Sequence, residues 1–219
     1  MDFNRQHNIF NPSEQKLKIT IVGAGSTGSY MAFALAKFGY RDIKVIDFDK
    51  VEEHNIPVQI YKPRDEGRLK VEALAQDIFE HTGERIICED KKIDEIYSFE
   101  TDAYSVVIVC VDNMETRKII YQQMKTSGQA VRIVDTRMGG EGFSIHTCDM
   151  GNLENREQYE KSLEGTFKEL PCGEKAVVYC IMSLVAEAVN LIKKIEKCES
   201  YPTIIRREMK NYRFISNGE

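Results

Sequence analysis

Gly23, Gly25 and Gly28 stand in G-x-G-x-x-G spacing between an apolar run, KLKITIV, and a helical pattern. A loop of this kind lets the backbone approach a phosphate at a helix N-terminus. A second apolar run, IKVID, ends in Asp47, 19 positions after Gly28. That is where a ribose-binding carboxylate belongs, and it suits NAD and ATP alike. The residues that follow discriminate better: Asp49, Asn55, Gln59, Gly67 and Lys70, then Asp112-Asn113 with Arg117. Hydride transfer leaves this polar train without a task. Cleaving ATP between its α and β phosphates uses all of it, because a triphosphate must be neutralised and a carboxylate brought in line with the α-phosphorus. Lys70 can act there as a point charge. Asp112 follows a buried strand and offers oxygen to a hard cation such as Mg2+. The plainer readings are a solvated helix lysine for Lys70 and a helix N-cap for Asp112.

These residues need a scaffold that brings strand ends together. Apolar runs read as strands at 17–22, 43–47, ERIICED, AYSVVIVCV and AVRIVDTR. Helical spacing occupies 26–38, 67–81 and 114–127, with a short helix at KKIDEIYSF. Residues 51–66 hold Pro57 and Pro63 and read as loop or broken helix. Alternation of this kind predicts an α/β fold, a Rossmann-like doubly wound sheet that is mostly parallel. GEGFSIHTC adds a strand, residues 173–197 a long apolar helix, and YPTIIRREMKNYRF a final edge strand, so antiparallel strands are expected towards the C-terminus. Residues 149–171 are polar and weakly patterned, which predicts a flexible crossover loop of functional length. The whole chain, 1–219, is expected to form one domain with an N-terminal arm at 1–16.

Composition narrows the function classes. Of 219 residues, 42% are hydrophobic and 30% charged, with a net charge of -5. This argues against non-specific nucleic-acid binding. No apolar run is long enough to span a bilayer, and the N-terminus lacks a secretory pattern, so a cytoplasmic protein is expected. None of the six cysteines (88, 110, 148, 172, 180 and 198) forms a CxxC pair, so no structural zinc is expected. Cys88, Cys110, Cys180 and Cys198 read as structural residues.

The stretch VGAGSTGSYMAFALAKFGYRDIKVIDFDKVEEHNIPVQIYKPRDEGRLKVEAL resembles the adenylation domain of the E1-like superfamily. That group includes the ThiF and MoeB proteins and the ubiquitin-activating enzymes. The shared order is a glycine loop, D-x-D-x-V, N-x-x-R-Q, G-x-x-K, then D-N with a nearby Arg, and it runs from about residue 3 to residue 146. The resemblance implies these roles: Gly23, Gly25 and Gly28 face the phosphates, Asp47 binds ribose, and Asp49 lies beside it. Asn55, Gln59 and Lys70 approach the phosphates, and Asp112 positions Mg2+. In FNRQ, Arg5 matches an arginine that crosses a homodimer interface to the partner's ATP. The implied activity is ATP-dependent adenylation of the C-terminal carboxylate of a small ubiquitin-like or sulfur-carrier protein ending in Gly-Gly. The glycines of RMGGEGFSIHTC, with Arg137, border the channel for that tail, whereas His146 reads as a strand residue.

Two departures stand out. The family arginine before Gln59 is Val58, and Arg64 or Arg68 could compensate. Cys172, in ELPCGEKAVVY, sits at a helix start near Lys175, where a thiol pKa is lowered. It is the candidate to receive an acyl group, with Cys148 second and a plain helix-entrance residue as the alternative. Competing readings of the chain are an NAD-dependent oxidoreductase and a non-catalytic nucleotide-binding subunit.

Overall fold

The structure, a computed structural model, describes residues 1–164 and 176–217. Its eight strands are β1 (Lys18–Val22), β2 (Ile43–Ile46), β3 (Ile87–Glu89), β4 (Ser105–Val109), β5 (Arg132–Gly139), β6 (Gly142–Asp149), β7 (Ile204–Glu208) and β8 (Arg213–Asn217). Its helices are α1 (Ser26–Phe38), α2 (Lys70–Thr82), α3 (Met114–Ser127), α4 (Leu153–Leu163) and α5 (Val178–Glu196). One sheet runs in the order β3-β2-β1-β4-β5-β6-β7-β8. The pairings from β3 to β5 are parallel, and those from β5 to β8 are antiparallel. This is the doubly wound, mixed sheet that the alternating runs predict. No described helix is long and apolar enough to cross a membrane.

Strands β1 and β4 are apolar on both faces because helices cover both. On β1 and β4, Ile19, Ile21, Val106 and Ile108 join one core with α1, α2 and α5. Val22, Val107 and Val109 point the other way, into a second core with α3 and α4. The two-residue side-chain period of a strand makes this division automatic. It also fixes the winding. The chain leaves β1 over one face through α1 and leaves β4 over the other through α3. The loops after β1 and β4 therefore diverge and open a crevice at the carboxyl edge of the sheet.

Three segments differ from the sequence expectation. KKIDEIYSF is not helical: Asp94 Oδ1 accepts from the N–H groups of Ile96 and Tyr97, both at 3.0 Å. This local turn competes with helix formation. Residues 153–163, expected as loop, form α4, which buries only Tyr159 and Leu163. The tail forms two strands, β7 and β8, rather than one.

The glycine loop closes against β4. Gly23 has φ +95°, and a Cβ there would meet the Cys110 carbonyl oxygen at 2.7 Å. A Cβ on Gly28 would lie 1.8 Å from the Gly23 carbonyl oxygen. A Cβ on Gly25 meets nothing within 4 Å. Gly28→Ala should therefore cost about 2 kcal/mol or more by overpacking, whereas Gly25→Ala should cost less than about 1 kcal/mol. Urea denaturation of both variants checks the contrast, and equal losses would contradict this packing.

Between β5, β6 and α4 lies a polar region in which Asp135, Arg117, Arg137 and His146 are all buried. Burial, then the charges of Arg137, Arg206 and Arg117, hold His146 down to about 3. It is neutral at pH 7, in keeping with a strand residue rather than a base. The unfolded chain takes up this proton near pH 6.5 but the native protein only near 3. The His146 contribution is thus fully present above about pH 6.5 and is lost as pH falls towards 3. Between pH 7 and 5, His146→Gln should lose about 2 kcal/mol less stability than the parent, read from urea midpoints at each pH.

Candidate functional site

Strand ends and the turns after them build the site. Gly23 N–H donates to the Ile46 carbonyl at 2.9 Å, and Cys110 N–H donates to the Val22 carbonyl at 2.8 Å. These bonds carry the β1, β2 and β4 pairing past the last strand residues. Gly25 then caps α1 with extended backbone, leaving the first helical N–H groups at the crevice.

Asp47 is 9% exposed, and both its carboxylate oxygens are engaged. Ala24 N–H donates to Oδ2 at 2.6 Å, and Asp49 N–H donates to Oδ1 at 2.7 Å. Burial raises its pKa, while the two amide donors and Lys70 oppose the shift. The residue that the resemblance assigns to ribose therefore also ties the glycine loop to the end of β2.

Lys70 is the first residue of α2 and is 7% exposed. A cation at a helix N-terminus opposes the macrodipole, and a buried one also pays for lost hydration. Asp49 offsets both, accepting from Lys70 Nζ at 2.8 Å. A bridge between Lys50 and Leu69, with Lys70 N–H donating to the Asp49 carbonyl at 2.9 Å, holds the two backbones together. The ammonium is thus linked through Asp49 and Asp47 to the Ala24 amide, and the solvated-lysine reading fails.

The turn at 53–61 lies over the loop. Tyr61 Oη donates to the Ala24 carbonyl at 2.7 Å, and Ile60 N–H donates to Ser29 Oγ at 3.4 Å. Asn55 caps its own turn, accepting from Glu52 N–H at 3.0 Å. Gln59 is 9% exposed, and its Oε1 is buried without a hydrogen-bond partner among the described residues. An orphaned buried acceptor is costly. A ligand donor group would satisfy it.

Asp112 is exposed beyond the end of β4 and makes no hydrogen bond or ion pair among the described residues. The helix N-cap is Asn113, which accepts from Thr116 N–H at 2.8 Å. Among the described residues no three His, Cys, Asp or Glu side chains gather as a metal cage. Mg2+ ordinarily takes one or two carboxylates and completes its shell with water and substrate phosphate, and Asp112 fits that role alone.

Other candidates fall elsewhere. Arg64 pairs with Glu80 at 3.0 Å, and Arg68 pairs with Asp65 at 2.8 Å, so both are engaged with α2 and the turn before it. Val58, in place of the family arginine, packs against the α1–α2 core. Arg5 is exposed, with no partner among the described residues. Cys172 lies outside the described residues. Burial pushes Cys88 and Cys110 up to about 11 and Cys148 up to about 12, so none of the three is a thiolate at pH 7. Cys198, expected as structural, is exposed just past α5.

Sequence reading missed Tyr61, Tyr30 and Ser29, which seat the 53–61 turn on α1. Tyr30 Oη donates to the Gln59 carbonyl at 3.3 Å. Their only signal is a polar tip within apolar patterns. Two hollows, of about 540 and 720 Å³, lie at the N-terminal arm and on the outer side of α3, and neither includes the glycine loop. The site is therefore defined by its side-chain geometry.

Comparison with known proteins follows the same lines. Ubiquitin-like modifier-activating enzyme 5 of Culex quinquefasciatus is 27% identical over 195 residues, which is 83% of this chain and 43% of that protein. Adenylyltransferase and sulfurtransferase MOCS3 of Caenorhabditis briggsae is 29% identical over 105 residues, 47% of this chain and 26% of that protein. The chain spans less than half the length of these relatives. E. coli MccB, solved with ATP, shares the fold at a TM-score of 0.75 and 16% identity, over 94% of this chain and 65% of that one. The sequence profile of the ThiF family matches residues 4–216, leaving only a few residues outside it at either end, and the chain belongs to the ThiF family.

Proposed function

We propose that the chain is an ATP-dependent adenylyltransferase that activates the C-terminal carboxylate of a ubiquitin-like or sulfur-carrier protein. The observation that carries this reading is Lys70: a buried cation at a helix start, linked through Asp49 and Asp47 to the glycine-loop amide of Ala24. The named relatives act in modifier activation and in adenylyl and sulfur transfer, which supports the same class.

In this reaction a carboxylate oxygen of the carrier attacks the α-phosphorus of ATP, and the bond to the β-bridging oxygen breaks to release pyrophosphate. The nucleophile is already ionised at pH 7, so no general base is needed. The α1 amides beside Gly25 receive phosphate oxygens. Lys70 stabilises negative charge as it builds, and exchanges part of its bond to Asp49 for phosphate. Asp112 would hold Mg2+, which when bound would draw charge from the phosphates. Gln59 Oε1 accepts a hydrogen bond from the nucleotide. Arg5 serves a partner subunit's phosphates in a homodimer, as the family resemblance implies, and Cys172 is the candidate for thiol transfer. A cytoplasmic location and a carrier tail of Gly-Gly belong to the same proposal.

Val58 favours a second reading, a subunit that binds nucleotide without turnover, because Arg64 and Arg68 are engaged elsewhere. ATP–pyrophosphate exchange with a small ubiquitin-fold protein ending in Gly-Gly separates the two. Lys70→Ala and Asp112→Ala should each lower exchange about 100-fold or more with unchanged circular dichroism. Exchange at the parental rate in both would overturn the assignment, and ATP binding without any exchange would favour the second reading. Gly25→Ala should fold normally yet bind ATP at least about tenfold more weakly, since its methyl group would occupy the open space at the helix N-terminus. Nicotinamide-dependent absorbance changes would instead indicate an oxidoreductase.

A further inference from the structure

Asp112 sits at the end of a buried polar chain that reaches α4. Arg117, on the first turn of α3, is 5% exposed. Its guanidinium donates to the Val111 carbonyl, the peptide oxygen immediately before Asp112, and to the Thr136 carbonyl at 3.1 Å. It also pairs with the Asp135 carboxylate. Thr136 Oγ1 donates to the Val109 carbonyl at 2.9 Å, so β5 and α3 between them hold both carbonyls that flank Cys110. Asp135, 0% exposed, accepts from Arg137 Nε at 2.7 Å and from Tyr159 Oη at 3.1 Å. Arg137 in turn donates to the Ser162 carbonyl and to Ser162 Oγ, both at 3.0 Å. The path is continuous: Ser162 and Tyr159 on α4, Arg137 and Asp135 on β5, Arg117 on α3, the Val111 carbonyl, then Asp112.

We infer that Asp135, Arg137 and Arg117 are positioning residues for the Asp112 carboxylate, and that Tyr159 and Ser162 latch them only while α4 is docked. The inference rests on the adenylation reading for its functional consequence, but not for its structural one. Two arginines share one buried carboxylate, an arrangement that apolar packing could replace at no loss of stability. What it supplies is direction: the Arg117 guanidinium holds the Val111 carbonyl at the base of the Asp112 turn, while Arg137 holds Ser162 on α4. The helix at the far end buries only two side chains, so polar ties carry much of its docking: these bonds to β5, and Glu160 to Tyr121 and Lys125 of α3. Outer-sphere bonds orient a metal-binding carboxylate and tune its affinity; here the support would reach Asp112 indirectly, through the Val111 peptide that precedes it. Displacement of α4, whose end leads into residues 165–175, would therefore loosen the Mg2+ position, and a firmly held Asp112 would favour a docked α4.

The test pairs the double variant Tyr159→Phe, Ser162→Ala with the control Tyr121→Phe. Tyr121 Oη bonds Glu160 at 3.2 Å, a separate tie between α3 and α4 outside the chain. Hydrogen–deuterium exchange of the ligand-free protein should quicken about fivefold at residues 110–116 in the double variant, the scale of one lost hydrogen bond. The control should quicken only α4. In pyrophosphate exchange, the double variant should need about tenfold more Mg2+ for half-maximal rate, with kcat at saturating Mg2+ unchanged. Unaltered protection at 110–116 in the double variant, or equal loss in the control, overturns the inference. Absence of pyrophosphate exchange in the parent protein bears on the adenylation reading alone, and the deuterium result still decides the positioning chain.

Discussion

The bond from the Ala24 amide to the Asp47 carboxylate is the constraint on which the rest of the site depends. It joins the loop after β1 to the end of β2, two turns that side-chain packing alone would leave free to move apart. An acid taken out of water resists ionisation, and two backbone donors answer that cost here. One donor positions the glycine loop, and the other positions Asp49. Asp49 then neutralises Lys70, a cation that would be poorly placed at a helix start without it. A single buried carboxylate thus orders the glycine-loop amide of Ala24 and, through Asp49, the Lys70 cation. Movement of any one partner would expose the charge of the next, so the group is held as a unit.

Much of the frame was legible from local pattern. The runs around β1, β2 and β4 could be read because they are continuously apolar, and α3 was placed at 114–127 by its periodicity. Failures came where local chemistry outweighed spacing. The segment KKIDEIYSF carries apolar residues at helical intervals, yet the Asp94 side chain caps a turn there, and Ile96 is left 90% exposed. Helix α4 fails in the opposite direction: its inward face consists mainly of Tyr159 and Leu163, too little to show as a stripe. Its docking relies on tyrosine, serine and arginine bonds that depend on β5, about twenty residues earlier. No window of sequence contains that information. The β7–β8 turn was missed because Tyr212 takes a positive φ that glycine or asparagine usually signals.

The same division applies to the site. Types and spacing were sufficient to nominate Lys70 and Asp47, since both follow elements whose ends are readable. Partners were not. Arg64 and Arg68 looked available because they precede Lys70 by a few residues, but a three-residue turn at Pro63–Asp65 directs them towards acids and amides of α2 and its approach. One neighbour excludes the capping reading of Asp112: Asn113 takes that role, which leaves the aspartate carboxylate free of helix duties. Tyr61 could not have been nominated, because an aromatic side chain in a proline-flanked stretch gives no sign that its hydroxyl will reach the glycine loop.

Under the proposed adenylation, valine in place of the family arginine would lower the positive charge available to a triphosphate in the crevice, and the buried Arg117–Asp135–Arg137 group would bear on how that charge is balanced. A crevice with fewer cations holds a polyphosphate less tightly, so more of the neutralisation falls to the metal. A metal held by one protein carboxylate is sensitive to the orientation of that carboxylate, because no second ligand corrects an error. On that proposal, rigid support behind Asp112 would restore by placement what the crevice lacks in charge. Arginine suits such support, since its planar fork fixes several acceptors at once where a lysine would fix them loosely. On this argument the departure at Val58 and the polar chain behind Asp112 are parts of one arrangement, and a chain with an arginine restored at position 58 would depend less on Tyr159 and Ser162.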